Sequence, residues 1–324
     1  MGKSHLQNMQ DEPPMIKPPS YPDRVTVEGV ETPNRDRRDG EAYEQELFSR
    51  WQNPAHRLRL PYYGFEHVEL CMEHGDMAFG DYERWLKERL PEADMLRGPA
   101  LANADDRVQV PQAWRTRIPE DLYPSSFIAE RTVDYLKVHA AERRGQPFFL
   151  MCSFPDPHHP FTPPGRYWDM YDPQLVDLPA TCGAPPDGAP PHLRWLHQER
   201  ASGKANLNTP RVVAISSQEA REAIALTYGM VSMIDDQIGQ VMHALEGSGL
   251  ADNTIVIFTS DHGDFMGDHG LLFKGPLHYQ SLVRVPFIWS EPGQPNPRRS
   301  AALHSTLDIA QSILERTGTA PYHD

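Results

Sequence analysis

Residues 254–275 read TIVIFTSDHGDFMGDHGLLFKG and are the most informative stretch for the fold. Their first seven residues, TIVIFTS, are mostly apolar and β-branched, which predicts a strand buried on both faces, as in a parallel sheet. A long helix is predicted immediately before it, over 216–247. Ser216 and Glu219 have the spacing of a capping box, and apolar residues then recur every three or four positions. This segment is therefore a helix followed by a buried strand.

The same alternation extends outward along the chain. Helices are predicted over 81–90, 126–141 and from Ser305 to Gly318, and strands over 64–70, 147–154 and 285–290. Helices that alternate with apolar strands predict an α/β fold with a mostly parallel central sheet and helices on both faces. In such a sheet the chemistry lies beyond the carboxyl ends of the strands. The segments after Phe154, Ser260 and Ser290 are therefore the first places to examine.

Asp261 and His262 directly follow the strand at 254–260. Gly263 permits a turn that brings both side chains toward one point. A carboxylate beside an imidazole suits a divalent metal, and the imidazole favours manganese or zinc over a purely oxygen-ligated calcium site. A capped helix start explains the same short string equally well.

Three further segments place basic side chains where they can join this site. His158 and His159 stand between prolines after the strand at 147–154, although a proline-rich loop with incidental histidines explains them too. Lys274 lies in an apolar context between two predicted strands, so it can return to the same strand edge and hold an anion. At the start of the chain, Gly2-Lys3-Ser4-His5 offers another lysine and histidine two residues apart.

Composition excludes several classes of protein. The formal charge is −14, from 45 acidic and 31 basic residues, whereas a nucleic-acid-binding protein presents a basic face. No run of about 18 apolar residues occurs, so no membrane span is predicted. The first residues, MGKSHLQNMQ, lack the apolar core of a secretory signal. Three widely spaced cysteines predict neither a disulfide framework nor a zinc knuckle.

Taken together, these motifs resemble the type I sulfatase family of the alkaline phosphatase superfamily. FTSDHGDFMGDHGLLFKGPLHYQSLVRVPFIW, at 258–289, resembles the family's metal-binding segment. Four further matches occur along the chain in the same order as the corresponding motifs of the family. They are GKSHL (G-K-x-H-L), FFLMCSFPDPHHPF (a strand and P-H-x-P), YGMVSMIDDQIGQVMHALEGSGLADNT at 228–254 (the helix before the metal strand), and STLDIAQSILERTG (D-I-x-x-T-I-L).

The resemblance implies a role for each candidate residue. Asp261 and His262 would bind one divalent metal, calcium or manganese. The basic residues that would surround the sulfuryl oxygens and the leaving group are Lys3, His5, His158 and Lys274. The metal and lysines would stabilise negative charge while a histidine protonates the departing oxygen. The Asp-His pair resembles the branch that contains phosphonate monoester hydrolases and choline sulfatase-like enzymes. The implied substrate is a small sulfate ester, or a phosphate or phosphonate ester.

The family nucleophile, a formylglycine made from Cys or Ser in C/S-x-P-S-R, has no counterpart in the 324 residues. The paired aspartates that complete the family's metal site are missing too, because Asp235-Asp236 lies in mid-helix. We therefore expect 1–324 to be one incomplete catalytic domain, lacking the nucleophile segment and a C-terminal subdomain. A catalytically inactive binding protein that kept the fold is the alternative.

Overall fold

A computed structural model describes residues 1–3, 6–7, 9, 41–294 and 296–320. Short 3₁₀ turns and long loops connect its helices and strands. The helices are α1 (Phe48–Trp51), α2 (Asp81–Arg89), α3 (Pro124–Glu142), α4 (Pro191–Ala201), α5 (Ser217–Gly247), α6 (Gln280–Val283) and α7 (Leu307–Thr317). The strands are β1 (Cys71–Met72), β2 (Phe79–Gly80), β3 (Val213–Ala214), β4 (Val256–Thr259), β5 (Leu271–Leu272) and β6 (Phe287–Ser290).

The helix α5 begins and ends within one residue of its predicted range, and α3 and α7 do so within two residues, whereas α4 was not predicted. Ser216 caps α5 with its hydroxyl on the N–H of Glu219, and the Glu219 carboxylate accepts the N–H of Ser216 in return. This capping box leaves two fewer unpaired donors at the start of a helix of 31 residues, about 46 Å long. Gly318, in a left-handed conformation at φ 66°, ends α7.

Two apolar clusters hold the helices together. One joins α2, α3 and the middle of α5 and contains Tyr82, Trp85, Phe127, Ile128 and Met233. The other joins α5 to the loops on its other side and contains Phe161, Trp168, Ala223, Met230 and Phe273. Packing on two sides fixes α5 as the central helix of the described residues, so segments attached to it are fixed as well.

The sheet pairing differs in part from the prediction. Among the described residues every ladder of two or more residues is antiparallel: β1–β2, β3–β5 and β4–β6. Parallel pairing occurs at single bridges, including Gly2 to Leu70 and Gly2 to Ser153. The predicted strands at 64–70 and 147–154 contribute to this parallel pairing only through Leu70 and Ser153, with residues 1–3 between them, and neither range forms a full strand. The expected burial of 147–154 is also wrong, because Phe149 and Met151 are exposed. The α/β class is as predicted.

The prediction that the strand at 254–260 is buried on both faces is wrong, and the apolar strand at 285–290 is exposed as well. β4 and β6 pair with each other, yet Phe258, Phe287 and Ile288 are 42%, 44% and 58% exposed. Apolar composition predicted the strands correctly but not what covers them, which depends on distant parts of the chain. No helix in the described part of the chain is long and apolar enough to cross a membrane.

Candidate active site

Residues 1–3 bring Lys3 to the carboxyl edge of the parallel pairing. The Gly2 N–H donates to the Glu69 carbonyl at 2.9 Å, the Cys71 N–H donates to the Gly2 carbonyl at 3.0 Å, and the Lys3 N–H donates to the Ser153 carbonyl at 2.9 Å. Gly2 has φ +106°, and a Cβ there would lie 1.8 Å from the Ser153 carbonyl oxygen. Only glycine therefore fits the position that sets Lys3 beside the loop after Ser153.

Asp261 and His262 end the β4 segment, and hydrogen bonds fix the imidazole. His262 Nδ1 lies 2.7 Å from the Gly263 carbonyl oxygen, so Nδ1 carries the proton and Nε2 presents its lone pair. Lys274 Nζ lies 2.6 Å from that Nε2 and donates to it. Asp261 Oδ2 is 3.6 Å from the same nitrogen.

This arrangement fits two ligand positions of a divalent-metal site. A histidine that donates from one nitrogen to a carbonyl and offers the other to a cation is the usual geometry of a metal ligand. Here the Lys274 ammonium stands where a cation would meet Nε2, and the Asp261 carboxylate lies beside it. In the part of the chain that is described, no group of three or more His, Cys, Asp or Glu side chains is arranged to hold a metal. The pair therefore fits two ligand positions of such a site, and a metal bound there stays a prediction.

Charges at the site perturb one another. Burial lowers the pKa of Lys3 and of Lys274, and the nearby Asp261 carboxylate partly opposes this for both. Burial alone raises the pKa of Asp261, but His262 and Lys3 outweigh it and bring that pKa below its usual value. Asp156 and Glu73 also act on Lys3, and Asp264 acts on Lys274, so the two ammonium groups lie among several carboxyl groups.

His158 lies between two other imidazoles at the same edge. Its Nδ1 lies 2.5 Å from the carbonyl oxygen of His159, so Nδ1 donates and Nε2 carries the lone pair. Its ring stacks on His74 with centroids 3.7 Å apart and approaches His262 edge-on at 6.1 Å. Burial, followed by the neighbouring His74 and His159, lowers the pKa of His158 well below its ordinary value. The ring is neutral near pH 7.

Two carboxyl groups lie in the same segments as these side chains, Asp156 buried and Asp264 partly buried. Burial raises the pKa of Asp156 to about 7, and the Ser125 hydroxyl donates to its Oδ2 at 3.0 Å. Burial also raises the pKa of Asp264 to about 6, although the N–H groups of Met266 and Phe273 donate to it. Both carboxyls therefore titrate close to neutrality.

The structure brings five of the six predicted site residues to one edge: Lys3, His158, Asp261, His262 and Lys274. Lys274 returns to the site as predicted, through a bridge to Arg211. His5 falls outside the described residues. The expectation for the segment after Ser290 is wrong, because β6 runs antiparallel to β4 and its carboxyl end points to the opposite edge. The metal and the role of each residue stay predictions.

Sequence reasoning missed His74, which follows β1 at the third strand end of this edge. The signal was present, since 64–70 was predicted as a strand and the strand-end rule applies to Glu73-His74-Gly75-Asp76 as well. Asp156 was visible beside His158, but nothing in the sequence distinguishes a buried aspartate from one in a solvated loop.

Comparison with known proteins identifies similar chains. Residues 85–319 match the family model described as Sulfatase. An arylsulfatase of Clostridium perfringens is 33% identical over 66% of this chain and 40% of its own length. The multifunctional alkaline phosphatase superfamily protein PehA of Trinickia caryophylli is 32% identical over 63% of this chain and 40% of its own. The chain thus spans about two fifths of the length of these relatives.

The solved structure of the phosphonate monoester hydrolase of Agrobacterium radiobacter resembles this fold. The TM-score is 0.60 at 25% identity, and the match covers 83% of this chain and 54% of the other. Its coverage exceeds that of either sequence match above, so the likeness of fold extends into parts of the chain where sequence identity is not detected.

Proposed function

Because the chain belongs to the sulfatase family, we propose that its site takes part in the hydrolysis of small sulfate esters. One observation carries the proposal. Two lysines and the Nε2 edge of a fixed imidazole converge beside the Asp261–His262 pair. An enzyme that cleaves a sulfate ester needs cations for the sulfuryl oxygens and a proton for the departing oxygen.

Each residue has a distinct task in this scheme. The ammonium groups of Lys3 and Lys274 contact the sulfuryl oxygens and stabilise negative charge as the ester bond breaks. Asp261 and His262 would hold a divalent metal, which supplies Lewis-acid stabilisation of those oxygens. When the ammonium of Lys274 moves from His262 Nε2 to the substrate, the lone pair of His262 Nε2 becomes available to a metal. Lys274 can therefore occupy His262 in the free protein and contact the sulfuryl oxygens in the complex.

His158 provides the proton that the leaving group requires. Its low pKa leaves Nε2 unprotonated in the free protein. A bound sulfate ester brings a negative charge next to the ring, and an adjacent opposite charge favours the protonated imidazole. Substrate binding thereby favours uptake, at Nε2, of the proton that passes to the departing oxygen.

The nucleophile is the part of the mechanism that this sequence does not supply. No C/S-x-P-S-R motif occurs in the 324 residues, so we propose that the chain by itself binds ester and metal without turnover. The domain assignment of 1–324 as an incomplete catalytic unit is part of the same proposal. Measurable hydrolysis of 4-nitrophenyl sulfate by the purified chain would refute it.

A phosphonate monoester or phosphodiester hydrolase is the second candidate. The fold likeness to a phosphonate monoester hydrolase and the relation to PehA favour it. A lysine pair beside an Asp-His metal pair serves either oxyanion, because both present equatorial oxygens that gain charge.

The metal pair can be tested with a control that the sequence itself provides. Asp-His-Gly occurs twice, at 261–263 and 268–270, and the second copy points to Thr181 and Tyr279 instead of the site. We expect manganese or calcium binding, measured by calorimetry, to disappear in the Asp261→Ala/His262→Ala variant. It should persist in Asp268→Ala/His269→Ala. Equal loss in both variants would refute the assignment.

The substrate class is tested with a longer protein, if the gene encodes one. The reading frame upstream of the Met1 codon is read for C/S-x-P-S-R, and any extended protein is assayed with 4-nitrophenyl sulfate, phenyl phosphonate esters and bis(4-nitrophenyl) phosphate. Preference for the sulfate supports the proposal, and preference for either phosphorus ester supports the second candidate. A frame without the motif favours the inactive binding protein that kept the fold.

A further inference from the structure

The segment Glu73–Asp76 closes tightly over the loop that carries His158. Glu73 has φ 63°, a left-handed conformation that few residues other than glycine adopt. Gly75 has φ 56°, and a Cβ there would lie 2.6 Å from Thr162 Oγ1 and 2.9 Å from Pro160 Cγ. The backbone just after His74 is therefore in close contact with the loop after Phe154.

Hydrogen bonds to Asp76 fix the end of this segment. Its fully buried carboxylate accepts hydrogen bonds from the Thr116 hydroxyl at 2.6 Å, the Trp114 indole at 3.1 Å and the Gly98 N–H at 3.2 Å. Three donors from two separate segments, one at Gly98 and one at 114–116, restrain this carboxylate. Because Asp76 is two residues from His74, the position of the His74 backbone is set by the protein core and not by a mobile loop.

Four rings form a column on this support. His74 stacks on one face of His158 at 3.7 Å and 15°, and His159 covers the other face at 4.0 Å and 29°. Phe273 continues the column at 4.2 Å from His159. Glu73 Oε2 lies 3.4 Å from His74 Nδ1, and the His74 side chain is only 11% exposed. His158 is thus enclosed on both faces.

We propose that His74 is a positioning residue, which holds the His158 imidazole in the plane and tautomer that direct Nε2 to the departing oxygen. The bond from His158 Nδ1 to the His159 carbonyl fixes one edge of the ring, but one hydrogen bond leaves it free to swing about that contact. The His74 face removes this freedom. A group held in reacting geometry loses less entropy on reaching the transition state.

The inference rests on the proposed role of His158 in ester hydrolysis. In that step the Nε2–H bond of His158 breaks as an O–H bond forms on the alcohol, whose oxygen takes the electron pair of the cleaved S–O bond. The sulfur forms its new bond to an attacking oxygen nucleophile, which gives up its own proton. His74 neither gains nor loses a proton. The contribution of His74 depends on the shape of its ring, so the phenyl ring of a phenylalanine at position 74 should position His158 equally well.

The test uses the 324-residue chain labelled with nitrogen-15 in its histidines, with His74→Ala, His74→Phe and His67→Ala as variants. His67 contacts Tyr135 and is half exposed, outside the column. In the unaltered chain we expect His158 to show two well-separated ring nitrogen resonances of a single Nδ1–H tautomer. His74→Ala should move these two resonances toward each other, whereas His74→Phe and His67→Ala should keep them apart.

The two failures are distinguishable. Unchanged His158 resonances in a folded His74→Ala chain, with helical circular dichroism intact, would overturn the positioning role. So would loss of the single tautomer in His74→Phe. Sulfate binding, followed by calorimetry in the same samples, should be equal in all four chains because lysines provide it. Absence of sulfate binding in the unaltered chain would count against the proposed function and leave the resonance comparison valid.

Discussion

Replacing Asp156 with asparagine tests the electrostatics of the site through the stability of the fold. The carboxyl is buried, and its pKa of about 7 lies above the value of about 3.9 for an aspartate in an unfolded chain. Between these two values the folded state holds a proton that the unfolded state releases. The free energy of unfolding therefore decreases as pH rises from about 4 to about 7.

The size of the effect follows from the difference between the two pKa values. A difference of about 3 units at 1.36 kcal/mol each gives about 4 kcal/mol, an upper value because buried sites relax. Asparagine keeps a carbonyl oxygen for the Ser125 hydroxyl and cannot ionise. Asp156→Asn should gain about 1 to 2 kcal/mol over the original chain at pH 5 and about 4 kcal/mol at pH 8.

Urea unfolding followed by tryptophan fluorescence at pH 5, 6, 7 and 8 measures this difference. Asp252→Asn, which removes one exposed carboxylate at the turn before β4, corrects for the change in net charge. The stability difference between Asp156→Asn and the original chain should widen by about 2 to 3 kcal/mol across the range. A difference that stays constant, or narrows as pH rises, would refute the account of a buried protonated carboxyl.

Three further predictions concern packing, charge and capping. Gly229→Ala places a Cβ 2.2 Å from the Tyr167 carbonyl oxygen and should cost about 1–3 kcal/mol in thermal denaturation. Gly239→Ala on the same helix meets nothing within 4 Å and should gain up to about 1 kcal/mol, so an equal effect of both would contradict the close approach. Lys274→Met should weaken sulfate binding measured by calorimetry. In the original chain the affinity for sulfate should fall with rising pH, because burial lowers the pKa of Lys274 and the ammonium loses its charge at a lower pH than an exposed lysine does. An affinity that changes neither in Lys274→Met nor with pH argues against a contact between Lys274 and sulfate. Ser216→Ala should cost about 1 kcal/mol in urea unfolding by removing one side of the capping box, and no cost would show that the start of α5 is satisfied in another way.

Local signals explain which elements the sequence predicted. The capping box and apolar stripe of α5 lie within the helix itself, so its start and end were predicted to within one residue. The strands β4 and β6 were also found, but their direction and exposure were not. Pairing and covering depend on which distant segments meet, and no periodicity within six residues carries that information.

The same distinction holds for the site. Asp261, His262 and Lys274 were predicted because they follow or link strands in one continuous segment, and the structure joins them within 2.6–3.6 Å. The proximity of Lys3 came from its resemblance to a family motif and agrees with the parallel bridge at Gly2. The stacking of His74 on His158 joins residues 84 positions apart, and neither segment alone indicates it.

The central helix α5 has two unequal halves. Its first half is buried against the two large clusters as far as Met233, whereas its last turns are mostly exposed and contact β4 through a small cluster around Leu245 and Val256. Backbone amides of the first half should therefore exchange with deuterium only on global unfolding, and those of the last turns through smaller local openings. The strand β4 leads directly to Asp261. An ion bound at Asp261 would therefore slow deuterium exchange more in the last turns of α5, which contact β4, than in its first turns.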